Sequence, residues 1–325
     1  MPVSVYCSGM RMIAAGIDLG SNTFRLLVAR IEAGRPLALA KELITVRLGQ
    51  GLGENRRLST AAMGRGLAAL ARFREIIAPH NPQFQRACGT AALRLADNRT
   101  EFLRRASITL GLAVEIIDGE EEARLGLTGV LAFLPRRALS QPLLVVDVGG
   151  GSTELVLRVD DRQPLRLASL PLGAVGLTET FLQRPLPPAQ NIRDLTEHIE
   201  KVLSLGLPAS IGSTPDQLLA VATGGTATSL AALDLDLQHY DETLIQDHLL
   251  AAVVLDQLWQ RLVAMPVAAR NLLPSLGPGR GDIILAGLRI YQVLLRLLAK
   301  PQMMVSDAGL LEGITLSSMP GSPPG

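Results

Sequence analysis

Aromatic side chains are scarce in this chain: Phe, Trp and Tyr make up 3% of its 325 residues. Its cores must therefore be built from Leu, Ala, Val and Ile, within a composition that is 48% hydrophobic. An excess of charge is also lacking. At a net charge of +1 no global positive field draws in nucleic acid, so any anion affinity has to be local. Cys7 and Cys88 are the only cysteines, too few for a disulfide framework, which suits a reducing, cytoplasmic setting. The four histidines, His80, His198, His239 and His248, show no metal-ligand spacing, and no Ser/His/Asp or Cys/His combination is visible. The longest apolar stretch, Ile283 to Leu298, is broken by Arg289 and Arg296 and falls short of the roughly 18 uncharged residues of a spanning helix. Residues 1–12 carry one charge, Arg11, and no apolar core before a cleavage site. They read as a leader in which Met10 or Met12 is the start, not as a signal peptide. The length exceeds what one core usually supports, so two domains are expected.

What the chain does have is one phrase written twice. Ile17-Asp18-Leu19-Gly20-Ser21-Asn22-Thr23 leads into Arg25-Leu26-Leu27-Val28, and Val146-Asp147-Val148-Gly149-Gly150-Gly151-Ser152-Thr153-Glu154 leads into Leu155-Val156-Leu157. Each reads as an apolar strand ending on Asp, a tight Gly/Ser/Thr turn and a second strand. A phosphate needs several N–H donors converging on one point, and small residues let the backbone come that close. No Lys-Ser/Thr follows either turn, so neither is a P-loop. Asp18 and Asp147 read either as caps of their own turns or as ligands for Mg²⁺, which takes carboxylates, phosphate oxygens and water.

Between and after these turns the punctuation repeats. Ile13–Ile17, Leu26–Ile31 and Leu37–Leu48 read as sheet, and Ser59 caps a long helix. Phe84–Cys88 is a strand, Asn98–Gly111 a helix and Ala113–Ile117 a strand. Asp118-Gly119 turns into a helix that opens on Glu120-Glu121-Glu122 and runs to about Leu134. Those glutamates read as a solvated first turn or as a source of a general base, and residue physics leaves the three equal. Arg94 reads as a surface arginine or a phosphate clamp. Gln183–Asn191 and Leu205–Pro215 are expected loops. Leu218–Ala222 is a strand running into Thr223-Gly224-Gly225-Thr226, where a helix begins: an anion site or an ordinary capped helix. Gly277-Pro278-Gly279-Arg280-Gly281 also suits a phosphate, but read alone it is rather a surface turn before a helix that starts near Asp282. The rest is expected to be helical except for a strand at Met303–Ser306, and the tail Met319–Gly325 is expected to be disordered.

Together these motifs resemble the exopolyphosphatase / guanosine pentaphosphate phosphohydrolase family of the actin-like ATPase superfamily. Further stretches carry the resemblance: Arg47-Leu48-Gly49, Thr90-Ala91-Ala92-Leu93-Arg94 with Asn98, and Glu120-Glu121-Glu122-Ala123-Arg124. Leu170-Pro171-Leu172-Gly173-Ala174-Val175, Arg280-Gly281-Asp282 and Ser306 to Gly313 complete it. The resemblance implies an α/β fold of two ribonuclease-H-like domains flanking a cleft, the C-terminal helix returning to the first domain. Residues 1–121, completed by about 303–320, would form the first domain and 122–302 the second. It implies hydrolysis of a terminal phosphoanhydride with Mg²⁺ or another divalent cation, with Glu122 of the Glu-Ala-Arg element as general base. Asp18, Asp147 and Glu154 fall where the family holds metal and water, with Asp147 and Glu154 joining Glu122 in the catalytic set. Gly20, Ser21, Asn22, Thr23, Arg94, Gly149, Gly150, Gly151, Ser152, Gly224, Gly225 and Thr226 fall where it holds phosphate. The implied partners are inorganic polyphosphate or guanosine penta- and tetraphosphate, with no nucleic acid and no membrane; a homodimer is left open. Gly176 and Leu311 stand where many relatives carry Arg, and longer relatives add a helical domain. Weaker grip on long polyanions is therefore expected.

Overall fold

A computed structural model describes residues 12–160, 162–207, 217–277 and 279–320. The leader with Cys7, most of the loop expected over Leu205–Pro215 and the tail beyond residue 320 lie outside the described residues. Two sheets organise the chain. The first contains β1 (Met12–Leu19), β2 (Thr23–Glu32), β3 (Arg35–Thr45), β4 (Phe84–Gly89) and β5 (Val114–Ile116), in the order β3-β2-β1-β4-β5. The second contains β6 (Leu143–Val148), β7 (Thr153–Arg158), β8 (Arg166–Leu170), β9 (Leu219–Thr223), β10 (Leu249–Ala251) and β11 (Gln302–Val305). Its order is β10-β11-β9-β6-β7-β8. Each sheet starts with an antiparallel meander, and a later strand then pairs in parallel with the first: β4 on β1, and β9 on β6. The repeated phrase thus marks a repeated topology, the two-domain actin-like architecture.

Each half builds its own aliphatic core. In the first, Ser59 Oγ accepts the Ala62 N–H at 3.1 Å and starts the helix Thr60–Ile77. That helix buries Ala62, Met63, Ala69, Leu70, Phe73 and Ile77 against Phe24, Leu26 and Phe102. In the second, Leu144, Val146, Leu155 and Leu157 meet Tyr291 and the apolar face of the helix Ile284–Leu297.

The halves are joined by two stacked helices. Gly119–Phe133 lays Ala123, Leu127 and Val130 on Val145, Val156 and Val221 of the second sheet. Its Leu125 packs with Leu310 and Ile314 of the helix Leu310–Ser317. That second helix in turn places Leu311 and Leu316 on Ala14, Leu27 and Ala29 of the first sheet. The stack is close: a Cβ on Gly129 would lie 1.9 Å from the Gly309 carbonyl oxygen, and one on Gly313 1.9 Å from that of Leu125. Only hydrogen fits there.

Three expectations are corrected. Residues 302–305 do not complete the first sheet, because β11 pairs in parallel with β9 in the second; the return begins at Leu310. Leu249–Ala251, expected to be helical, is a strand held only by its partner β11, and three residues are too few to carry a periodicity. The expected loop Gln183–Asn191 ends early, since the helix Ala189–Gly206 starts directly after Pro188. Among the described residues no helix is long and apolar enough to cross a membrane.

Candidate active site

Both Asp/Gly turns arrive at one cleft between the halves, lined by Asp18, Gly20, Glu122, Asp147, Gly150 and Glu154 among others. The first turn is closed by the Gly20 N–H donating to Thr23 O at 3.1 Å, the second by the Gly149 N–H donating to Ser152 O at 2.9 Å. They sit against each other: a Cβ on Gly151 would lie 2.6 Å from Ser21 Oγ, and one on Gly150 3.3 Å from the Asn22 nitrogen. The Leu170–Val175 motif braces the second turn from behind, with Ala174 N–H donating to Gly149 O (3.0 Å) and Val175 N–H to Gly150 O (2.9 Å). Gly176 borders open space.

The third loop meets the same cleft. The helix Gly224–Asp234 begins on the residue after β9, and Gly225 and Thr226 line the cleft. Gly224 stands behind them with φ +80°; a Cβ there would lie 2.1 Å from Asp147 Oδ1. Positive φ and this contact both require glycine. Thr226 Oγ1 donates to Val148 O at 2.8 Å, tying the third loop to the second.

Register sets the charges. Asp18 on β1 faces Arg25 on β2, and Arg25 Nε donates to Asp18 Oδ2 at 2.7 Å. Asp147 on β6 faces Glu154 at the corresponding place on β7. The repeat therefore answers one aspartate with a cation and the other with a second carboxylate. Burial, and then the Asp147 charge, push Glu154 up to about 7. Burial raises Asp18 and Asp147 as well, with Arg25 opposing.

The three glutamates of the Gly119–Phe133 helix diverge by about 100° each, and their surroundings separate them. Asp118 Oδ1 caps the helix by accepting the Glu121 N–H at 2.8 Å. Glu120 points to solvent near Arg124, Glu121 pairs with Arg86, and Glu122 lines the cleft. Glu122 Oε2 accepts from Arg94 Nη1 at 2.5 Å, and that nitrogen also donates to Ile117 O at 3.1 Å. Burial first, then the Glu154 charge, hold Glu122 well above the usual carboxylate range; Arg94 opposes them. Arg94 thus sits on the carboxylates, 3.9 Å from Glu154, and is not itself among the residues lining the cleft.

Three further positions at the site stand outside the residue set expected from the motifs. Arg25 has its signal in the repeat, seven residues after Asp18 just as Glu154 follows Asp147. Arg280, expected on a surface turn, is half-buried and lines the cleft, its guanidinium lying where a Cβ of Gly225 would be 2.0 Å away. Burial and the nearby Arg25 push it down to about 10. Ser169 donates from Oγ to Glu154 Oε1 at 2.9 Å and orients that carboxylate; nothing local signals it.

Raised carboxylates are a stability statement. A folded state that holds Glu154's proton up to about 7, against an ordinary 4.5, loses stability as pH rises through that window. Glu154→Gln is therefore expected to raise Tm at pH 8 and to leave it near wild type at pH 4.5. Thermal unfolding at the two pH values checks it, and equal shifts would contradict it.

A cleft between duplicated ribonuclease-H-like halves, with three Gly loops around buried carboxylates, defines an actin-like phosphoryl-handling enzyme. The chain belongs to the Ppx/GppA phosphatase family, whose model matches residues 27–322. It is 33% identical over 320 residues to Exopolyphosphatase 2 of Mycobacterium tuberculosis, covering 93% of this chain and 97% of that protein. The crystal structure of the Aquifex aeolicus Ppx/GppA family member superposes with a TM-score of 0.77 at 31% identity, over 95% of this chain and 97% of that one. An exopolyphosphatase from Cytophaga hutchinsonii gives 0.83 at 26% identity, over 94% and 96%.

Proposed function

We propose that the chain is an exopolyphosphatase that releases orthophosphate from the end of inorganic polyphosphate, using Mg²⁺ or another divalent cation and Glu122 as general base. The observation that carries this reading is Glu122 facing into the cleft that the two Gly turns close, with one carboxylate oxygen on Arg94. Water attacks the terminal phosphorus, the bridging P–O bond breaks, and its electron pair leaves with the shortened chain. Glu122 takes the water proton, and the turns, Arg25 and Arg280 hold the phosphates.

The donor set suits the cation. Among the described residues no three His, Cys, Asp or Glu side chains form a protein-only cage. Mg²⁺ does not need one, since it binds through one or two carboxylates, phosphate oxygens and water. Asp18 Oδ1 is buried with no hydrogen-bond partner, and Asp147, half-buried, lines the same cleft. Asp18 and Asp147 would hold the ion, with Glu154 beside them; bound there, it would neutralise phosphate charge. Mg²⁺ is expected to raise Tm more at pH 8 than at pH 5, because protonated carboxylates do not bind it. Equal gains at both pH values would count against this ligand set.

A second substrate is favoured by one feature. Beyond Arg25, Gly225 and Arg280 the cleft opens into a cavity of about 370 Å³, walled by Leu43, Leu237, Tyr240, Leu276 and Leu311. Space of this size and polarity fits a nucleoside, so pppGpp is the runner-up. Orthophosphate release from polyphosphate and pppGpp at matched concentration decides the order. Polyphosphate is expected to be the faster, and Leu237→Arg is expected to raise KM only for pppGpp. Saturable binding with no release under any divalent metal would make the protein a sensor of these compounds and overturn the enzymatic reading.

A further inference from the structure

Two side chains next to the cradle have no part in the chemistry above, Arg47 of the Arg47-Leu48-Gly49 motif and Asp282 at the end of the turn that carries Arg280. In the fold they meet. Arg47 Nη2 lies 3.0 Å from Asp282 Oδ2, one side chain from each half of the molecule. Both groups are about one-third exposed, at 35% and 27%.

Each partner is anchored on the phosphate cradle. The Val46 and Arg47 N–H groups donate to Asn22 O at 3.0 and 2.7 Å, and the Gly49 N–H donates to Ser21 O at 2.8 Å. Arg65 Nε donates to Val46 O at 2.7 Å from the other side. Arg47 itself holds a left-handed φ of 53°, uncommon for a side-chain-bearing residue, which turns it out of the line of β3. Across the cleft, Asp282 Oδ1 accepts the Ile283 N–H at 3.1 Å, and Asn271 Oδ1 accepts the Gly281 N–H at 3.1 Å. Gly279, at φ +74°, passes so near the first half that a Cβ would lie 2.7 Å from Thr45 Cγ2.

Arg280 projects from the middle of this pinned turn, and among the described residues no carboxylate lies within 4.0 Å of its guanidinium. A half-buried cation with no carboxylate at ion-pair distance keeps its place only if the backbone carrying it is held. We propose that Arg47 and Asp282 form an interdomain clasp that holds the two halves together at the cleft and so positions Arg280 over the phosphate cradle. Arg47 and Asp282 are positioning residues; they touch Arg280's turn and not the phosphate. A partly exposed ion pair contributes little to stability, so it can be made and broken. The proposal rests on the polyphosphatase reading for its kinetic assay and not for its conformational one.

The test is a charge-exchange set measured on the full chain. Arg47→Gln and Asp282→Asn are each expected to raise KM for polyphosphate about tenfold, with kcat within about threefold. The double variant should be no worse than either single one, because both remove the same contact. Arg47→Asp combined with Asp282→Arg should return KM to within about threefold of wild type, whereas each reversal alone should not. Arg47→Lys, which keeps the charge, should fall between wild type and Arg47→Gln and guards against misfolding as the cause. Small-angle scattering with tripolyphosphate and Mg²⁺ supplies the second readout. Wild type should have the smaller radius of gyration without ligand, and Arg47→Gln should contract on binding. Additive single effects, no recovery in the exchanged pair, or identical radii in both proteins would each overturn the clasp. Failure of wild type to release orthophosphate would instead strike the polyphosphatase reading and leave the scattering test standing.

Discussion

Glu122→Gln is expected to keep the fold and the affinity for polyphosphate while turnover falls about 10²–10⁴-fold. The substitution is isosteric, and the amide oxygen can still accept from Arg94 Nη1, which now donates to Glu122 at 2.5 Å. What is lost is a group able to take a proton from water. The buried cluster also loses one of its carboxylates, so Tm should be unchanged or higher at pH 8. Single-turnover orthophosphate release, with tripolyphosphate binding measured in parallel, separates the two effects. A loss of binding equal to the loss of rate would place Glu122 in substrate holding, and full activity would remove it from the base role.

The second large effect is structural. Gly313→Ala is expected to lower Tm by about 4 °C, because overpacking of this kind costs about 3 kcal/mol. Its Cβ would stand 1.9 Å from the Leu125 carbonyl oxygen, a backbone atom that cannot swing away as a side chain can. The helices Gly119–Phe133 and Leu310–Ser317 must move apart, and the first of them carries Glu122. Activity should therefore fall even at temperatures where the variant stays folded. Gly64→Ala is the control: it sits exposed in the helix Thr60–Ile77 with nothing within 4 Å of the added carbon, and should be neutral or slightly stabilising. Equal Tm values for the two variants would show that the helix crossing is not tightly packed.

Legibility in the sequence followed the range of the interaction. Ser59, Asp118 and the Asp/Gly turns act within a few residues, and the elements they start or join are where the motifs place them. Asp18, Glu122, Asp147, Glu154, the first two Gly turns and Gly225 with Thr226 all converge on one cleft, as the resemblance implies. Arg94 and Gly224 stand one layer behind, the first on the carboxylates and the second under Asp147. Arg280 was only half legible: its glycine-rich turn suits a phosphate, but a polar turn of this kind also reads as surface. Only the approach of Thr45 and Arg47 from the other half encloses it.

The opening scarcities kept their meaning in the fold. With few aromatics, both cores are mostly aliphatic around a few rings such as Phe24, Phe73 and Tyr291, and close backbone contact places Gly16, Gly129 and Gly313 at the crossing. With a net charge of only +1, the positive charge at the cleft is local: Arg25 and Arg280 line it.

The sequence by itself determined the duplicated strand–turn–strand units, the alternation of sheet and helix, and membership of a phosphatase family. Those follow from local periodicity, glycine placement and motif order. Only the tertiary structure decided which charge faces which. Cross-strand register puts Arg25 on Asp18 but Glu154 on Asp147, helix rotation sends Glu122 and not Glu120 into the cleft, and the approach of one half to the other sets Arg280 into the cleft wall. Electrostatic energy depends on distance through space and on exclusion of water, and neither quantity is written along the chain.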